Sequence, residues 1–383
     1  MSLNGPPGSP ELCFVIRQIS TALLLPLRCE ADVGSCFGPG VPGHGAISGT
    51  KDSFCLMTAG SRGLMESMHD AVGPIVTFDQ GEAAQLGKRT VIGRHNLADD
   101  SLFCDESIAT VLDGYPAERL FALTMGTDPL RSADNERLDH RGVSGAELLE
   151  AVRNGRIWLN ITGIDGVDPR FRELTDRLYR AIDESAPRSF SETHATLLVS
   201  SPGAMVYYHV DGPPSYLWHI RGEKRLWVYP ALNESILSLE LLEDVFAGAR
   251  QEYVPYRNEF DELAEVFDLK PGQVAAWPQN APHRVINGDS LNVSLVTDHF
   301  TPDARRRARV YSANQFLRTR AHVPRGLLST KEEGGAATAK VVVHKLATRA
   351  GLGNPVNKAH EPSVRRVDPS SPTGMSGIEA FRG

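Results

Sequence analysis

From Thr196 to Thr297 the chain breaks into apolar runs of roughly four to seven residues, separated by turn residues. Thr196 to Ser200 precedes a Ser201-Pro202-Gly203 turn. Ser215 to Ile220 and Lys224 to Tyr229 flank Arg221-Gly222-Glu223, and Pro230 closes the second run. Pro271-Gly272 leads into Val274 to Pro278, and Leu291 to Thr297 forms the last run. Runs this short, punctuated by Gly and Pro, read as strands rather than helices. They predict a mainly β fold with flanking helices, closed as a double-stranded β-helix, or jelly roll.

Helical patterns frame these strands. Ser144 and Glu147 form a capping-box signature before a helix through Arg153, and Arg156 to Ile161 reads as a strand. Phe171, Leu174, Leu178 and Ile182 share one face of a helix from Pro169 to Ser185. Ser235 to Gly248 and Glu259 to Phe267 are read as two covering helices. Thr301-Pro302 opens another through Arg320, with a cap hydroxyl followed by Pro at the first helical position. Strand patterns at Pro74 to Phe78, Thr90 to His95 and Arg119 to Met125 precede the core. The expected organisation is a poorly ordered extension over 1–67, a packing region over 68–143 and a catalytic core over 144–302. A C-terminal helix over 303–320 and a flexible tail over 321–383 complete it.

The chemistry-bearing residues cluster in two stretches. His209 and Asp211 are one residue apart, and positions i and i+2 of a strand point to the same side. His283 follows the Pro271–Pro278 run. With twelve His in the chain, an H-x-D tripeptide alone carries little weight. Its place beside a hairpin and a downstream His gives it more. Two imidazoles and a carboxylate on one face of an iron leave three positions open, the arrangement of non-heme Fe(II) oxygenases. Tyr207, Tyr208, His219, Asn280 and Arg284 lie close to these ligands in sequence and are candidates for the substrate rim. Strand parity places Ser215, Leu217 and His219 on one face and Trp218 on the other, in the core.

Thr193, Leu197, Leu198, His209, Asp211, Gly222, Lys224, Arg225, Tyr229 and Pro230 together resemble the core of the JmjC-like, cupin-fold 2-oxoglutarate oxygenases. Pro271, Gly272, Val274, Pro278, His283 and the strand Asn292 to Phe300 continue the pattern. The resemblance covers about residues 144–318 and is strongest to the asparaginyl hydroxylase of hypoxia-inducible factor and to bacterial cupin-like relatives. It implies His209, Asp211 and His283 as Fe(II) ligands, and Lys224 as the partner of the far carboxylate of 2-oxoglutarate. Ser215 would face the same pocket. Val206 departs from the pattern, standing where that hydroxylase carries a hydroxyl, and Thr196, Tyr207 or Tyr208 would have to replace it. The activity implied is hydroxylation of a protein side chain or a small amino-acid-like metabolite, with O2 consumed and 2-oxoglutarate converted to succinate.

Composition narrows partners and compartment. A net charge of −7 provides no global basic field and argues against nucleic-acid binding. The cluster Arg305, Arg306, Arg307 and Arg309 is read as a solvated helix face or a set of intramolecular ion pairs. Apolar positions on the same helix, over 303–320, suggest a homodimer surface. Five scattered Cys without a C-x-x-C pair favour reduced thiols and a cytoplasmic location. No apolar run reaches the length of a membrane span, and Arg17 interrupts the mildly hydrophobic stretch 12–27. Two competing expectations are a cupin metalloenzyme that does not use 2-oxoglutarate, against which Lys224 argues, and a non-catalytic cupin-like regulatory module, against which the complete H-x-D…H set argues.

Overall fold

A computed structural model describes residues 74–249, 254–352 and 365–376. The extension expected over 1–67 lies outside the described residues.

Strands β1 (Val76–Thr77) and β2 (Val91–His95) lead to helix α1 (Asp105–Gly114), then to β3 (Leu120–Thr124) and β4 (Glu136–Asp139). Helix α2 (Gly145–Asn154), strand β5 (Ile157–Thr162) and helix α3 (Pro169–Ser185) follow. Next come β6 (Ser191–Ser200), β7 (Met205–His209), β8 (Ser215–Arg221) and β9 (Lys224–Val228), then helix α4 (Leu239–Phe246). Strands β10 (Glu265–Leu269), β11 (Gln273–Ala276), β12 (His283–Asn287) and β13 (Asn292–Phe300) complete the core. Helices α5 (Pro302–Arg320) and α6 (Gly335–Arg349) and strand β14 (Arg365–Arg366) close the chain.

The strands form a ten-stranded sheet, β1-β2-β11-β8-β13-β6-β5-β3-β4-β14, and a four-stranded sheet, β10-β9-β12-β7. From β6 to β13 the chain passes back and forth between the two sheets, and the pairs among these strands are antiparallel. That order is a double-stranded β-helix, as the strand lengths predicted.

Alternation along β8 decides what lies between the sheets. Tyr216, Trp218 and Ile220 join the core cluster that packs against α1, α2 and α3 through Ile108, Leu148, Phe171 and Leu178. Leu217 faces the other way, into a cluster with Leu226, Val228, Leu269, Ala275, Trp277 and Val285 drawn from both sheets. That second cluster is the barrel interior. Trp218 is fully buried on the helix side and donates its indole N–H to Thr297 Oγ1 at 3.0 Å.

Capping chemistry fixes the helices where the sequence placed them. The Ser144–Glu147 capping box forms on α2. Pro169 stands in the first turn of α3, and Pro302 begins α5 behind the Thr301 cap. Ala308, Tyr311 and Phe316 of α5 are buried within this chain, Tyr311 against Phe246 of α4 and Phe316 against His344 of α6. The apolar side of the expected dimer helix is thus covered by its own chain. Arg305 pairs with Glu192, Arg306 with Asp303 and Glu333, and Arg307 with Glu332. The arginine cluster is therefore largely an intramolecular ion-pair set.

Two expectations are corrected. The stretch Glu259 to Phe267 is not one helix. A 3-10 turn, Asn258–Leu263, gives way to β10, which pairs with β9 from Glu265↔Val228 to Leu269↔Lys224. As an edge strand it leaves Val266 49% exposed, so its charges and apolar residues lack the simple alternation of a half-buried strand. Nor is the tail uniformly flexible. Helix α6 packs on α5, β14 pairs in parallel with β4, and Val367 and Met375 are buried in the main core. Among the described residues, no helix is long and apolar enough to cross a membrane.

Candidate metal centre

Strand β7 carries a bulge. Val206 pairs with Val285 and His209 with His283, so Tyr207 and Tyr208 together oppose Arg284 alone. An extra residue shifts the phase of the strand. Val206 packs into the barrel interior and His209 faces it too. His283 opens β12 opposite His209, with ring centroids 4.0 Å apart. Asp211 lies just past the end of β7. Its carbonyl accepts from Asn280 Nδ2 at 3.0 Å, and its Oδ2 from the Ser215 hydroxyl at 3.3 Å.

The three side chains aim their donor atoms at one point. His209 Nε2 is 3.7 Å from Asp211 Oδ1, and His283 Nε2 is 3.4 Å from Oδ2. Each imidazole uses its other nitrogen to donate to a main-chain carbonyl: His209 Nδ1 to Tyr207 O at 2.7 Å, and His283 Nδ1 to Ala281 O at 3.2 Å. Because a carbonyl only accepts, Nδ1 carries a proton in both rings, and each Nε2 is turned toward the Asp211 carboxylate. Burial, reinforced by the neighbouring His209, lowers the His283 pKa to about 4, so this ring is neutral near pH 7. Ligand atoms from the three residues lie within 4.8 Å of one another. Two imidazoles and a carboxylate, with no thiolate, fit an Fe(II)-type ion with positions left open.

Farther along the interior stands Lys224, the first residue of β9. Gly222, at φ +80°, makes the turn that starts this strand, and a Cβ there would meet Asn292 at 2.6 Å. Lys224 shares the inward phase of Leu226 and Val228. It is 6% exposed, and no hydrogen bond or ion pair reaches its ammonium among the described residues. Burial alone lowers its pKa to about 7. Register places Lys224 opposite Asn287, while Val228 is opposite His283. Four residues of strand therefore separate Lys224 from the level of His283, about 13 Å along the strand.

The remaining candidates divide into interior and exterior groups. Thr196 faces its partner Val296 of the interior cluster. Ser215 donates its hydroxyl to the Asp211 carboxylate. His219 is fully buried on the floor of the barrel, not at its rim, with Nδ1 at Ser294 Oγ (3.2 Å) and Nε2 at Gly222 O (2.9 Å). Burial, then the Lys224 charge, lowers its pKa to about 3.

Tyr207, Tyr208 and Arg284 do not line this space. Tyr207 is 1% exposed in a cluster with Met125 and Met205, and its hydroxyl accepts from Gly126 N at 3.0 Å. Tyr208, also 1% exposed, packs on Tyr229, Tyr256 and Phe260. The bulge turns both rings outward. Arg284, one residue past His283, points to the opposite face of β12. There it pairs with Asp261 at 2.5 Å, donates to Tyr229 Oη at 3.0 Å, and lies 3.6 Å over the Trp227 ring.

Sequence reading missed three neighbours. Trp277 packs against His283, with ring centroids 4.4 Å apart and planes tilted by 45°. Gln279 Nε2 donates to Gly212 O at 2.9 Å and steadies the ligand loop. Asp298 lies directly across from Ser215. Its position two residues beyond the apolar Val296 was the available signal. His299, by contrast, faces outward, stacked on Tyr216 at 4.9 Å and 3.2 Å from the Tyr179 hydroxyl.

No protein-family model and no curated protein matches the sequence. Among solved structures, the chain is similar to the X-ray structure of Escherichia coli YcfD, with 13% identity, 72% of this chain and 69% of that chain covered, and a TM-score of 0.42. YcfD, described as a ribosomal oxygenase from Escherichia coli in complex with cobalt and 2-oxoglutarate, gives 12% identity, coverage of 72% and 68%, and a TM-score of 0.41. A cupin 2 conserved barrel domain protein from Leptotrichia buccalis is 16% identical over 28% of this chain and 36% of that chain, with a TM-score of 0.18. The jelly-roll assignment rests on strand order and register rather than on these similarities.

Proposed function

We propose that this protein is an Fe(II)- and 2-oxoglutarate-dependent oxygenase that hydroxylates a protein side chain or a small amino-acid-like metabolite, with the cytoplasm as its compartment. One observation carries the reading: a three-donor metal centre and a buried, unpartnered lysine share the interior of one barrel. A buried ammonium without a partner is destabilising, and an anion seated beside it would remove that cost. A five-carbon diacid, together with the reach of a lysine side chain, suits the distance from Lys224 to the metal centre.

His209, Asp211 and His283 would hold the iron, and the backbone carbonyls behind the two rings would keep them oriented. Iron and 2-oxoglutarate together supply the O2 chemistry that oxidises a C–H bond of the substrate while 2-oxoglutarate becomes succinate and CO2. Lys224 would take the far carboxylate as a point charge. Thr196, whose hydroxyl has no hydrogen bond among the described residues, offers a second contact. Val206 offers none, because its side chain is apolar and faces inward. Leu217, Leu226, Val285 and Trp277 exclude water around the co-substrate.

Succinate formation by the purified protein with Fe(II), 2-oxoglutarate, ascorbate and air tests the proposal. Turnover is expected in the parent and absent in Asp211→Ala. Equal succinate from both would refute it.

A further inference from the structure

Helix α3 and the 3-10 turn Ser101–Phe103 enclose a cleft of roughly 250 Å³ on the helix side of the ten-stranded sheet. Glu173, Leu174 and Arg177 share one face of α3 and form one wall. Ser101 and Leu102 of the turn and Ser107 of α1 form the other. Phe171 of α3 meets Phe103 edge-on at 5.9 Å and holds the walls together. Phe171 and Leu174 belong to the cluster on the helix side of the sheet, whereas Leu217 and Trp277 belong to the barrel interior. The sheet therefore separates this cleft from the metal centre.

Two further charges at the cleft are already engaged. Arg170 pairs with Asp168 at 2.6 Å, and Asp100 accepts from Leu102 N at 2.9 Å. Glu173 and Arg177 are not engaged. Neither makes a hydrogen bond or ion pair among the described residues, although one helical turn separates them. Ser107 Oγ is shielded from solvent and also lacks a partner among those residues. The carbonyl four residues back, Phe103 O, to which a helical serine commonly turns, accepts from Arg221 Nη1 at 3.3 Å.

We propose that this cleft binds a free aliphatic α-amino acid as its zwitterion. The ligand carboxylate meets Arg177 and the Ser107 hydroxyl, the ammonium meets Glu173, and the side chain lies on Leu102 and Leu174. The charges of the walls select this class. A simple anion would satisfy Arg177 and face an uncompensated Glu173, and a simple cation would do the reverse. One charge of each sign on a short ligand satisfies both. The competing state, a direct Glu173–Arg177 pair along the helix, is a solvent-exposed contact and is weak. The volume of the cleft suits a small metabolite rather than a nucleotide or a peptide.

The test is titration calorimetry on the full chain, without metal or 2-oxoglutarate, just below neutral pH. Three probes are compared: L-leucine, L-leucine amide, which lacks the carboxylate, and N-acetyl-L-leucine, which lacks the ammonium. Leucine is expected to bind at millimolar concentration or below, and each single-charge probe roughly ten-fold or more weakly, the scale of one charge-assisted hydrogen bond. Arg177→Gln is expected to weaken leucine by about ten-fold and to erase its advantage over the amide. Glu173→Gln is expected to do the same for its advantage over N-acetyl-leucine. No binding of leucine, equal binding of the three probes, or an unchanged leucine affinity in both variants would each overturn the proposal. The probe comparison in the parent protein needs no variant, so a misfolded variant leaves the question decided.

Discussion

Val206 and His209 turn their side chains into the same barrel interior although an odd number of positions separates them. The bulge that sets two residues of β7 against Arg284 alone reconciles the phases. It brings His209 level with His283 and sends Tyr207 and Tyr208 into outer clusters. One inserted residue therefore decides which side chains reach the metal centre.

Replacing Lys224 by Met separates binding from stability. Loss of a charge-assisted contact is expected to weaken 2-oxoglutarate by roughly 10- to 100-fold. The unliganded protein should be at least as stable, because an unpaired buried ammonium has gone. Titration calorimetry and thermal melts check both. A variant that binds 2-oxoglutarate normally would remove Lys224 from the site.

The same lysine gives a pH signature. Its pKa falls from 10.5 unfolded to about 7 folded. Between those values the unfolded chain binds the extra proton, so its contribution to stability rises with pH, at roughly 1 kcal/mol per pH unit. Subtracting Lys224→Met from the parent, across denaturation curves from pH 7 to 10, isolates that slope. Saturating 2-oxoglutarate should flatten it. A difference curve that is level without ligand contradicts the assignment.

Buried histidines act at the acid end. His95 and His283 have pKa values lowered to about 4, and His219 and His299 to about 3, in each case chiefly by burial. Their unfolded values lie near 6.5, so the stability they contribute is present above that pH and is lost as pH falls through 6.5 towards 4. His299→Phe keeps the aromatic contacts with Tyr216 and Phe190 and removes one titrating group. Its chemical-denaturation midpoint should fall less steeply between pH 6.5 and 5 than the parent's. Parallel curves would contradict a buried neutral His299.

Arg284 is assigned to structure. Arg284→Ala leaves Asp261 without its cation and uncovers Trp227, and is expected to destabilise the protein by about 3 kcal/mol. Mn(II) affinity should be nearly unchanged. Loss of metal binding without loss of stability would return Arg284 to the site.

The C-terminal segment is part of the fold. Truncation after residue 352 removes Val367 and Met375 from the main core. Each contributes about 1.5 to 3 kcal/mol by burial. A melting temperature equal to that of the full chain would show that β14 adds nothing.

Much of this was legible in the sequence because local chemistry set it. The alternation in β8 separates Leu217 from Trp218, the caps at Ser144 and Thr301 start their helices, and the turn at Gly222 aims Lys224. What escaped depends on long-range pairing. The bulge in β7 exists only against β12, so closeness to His209 in sequence misplaced Tyr207 and Tyr208. Arg284 looks like a site residue until Asp261 of the preceding 3-10 segment is seen beneath it. Strand β10 reads as helix because an edge strand has only one neighbour to impose a pattern.

The most direct measurement of the central claim is the visible absorption of the anaerobic protein on addition of Fe(II) and 2-oxoglutarate. The complex of iron with a ketoacid would give a charge-transfer band without any substrate or turnover. The band should develop in the parent protein, require a higher 2-oxoglutarate concentration in Lys224→Met and be absent in Asp211→Ala. An iron-loaded parent protein that shows no band at saturating 2-oxoglutarate would contradict the account.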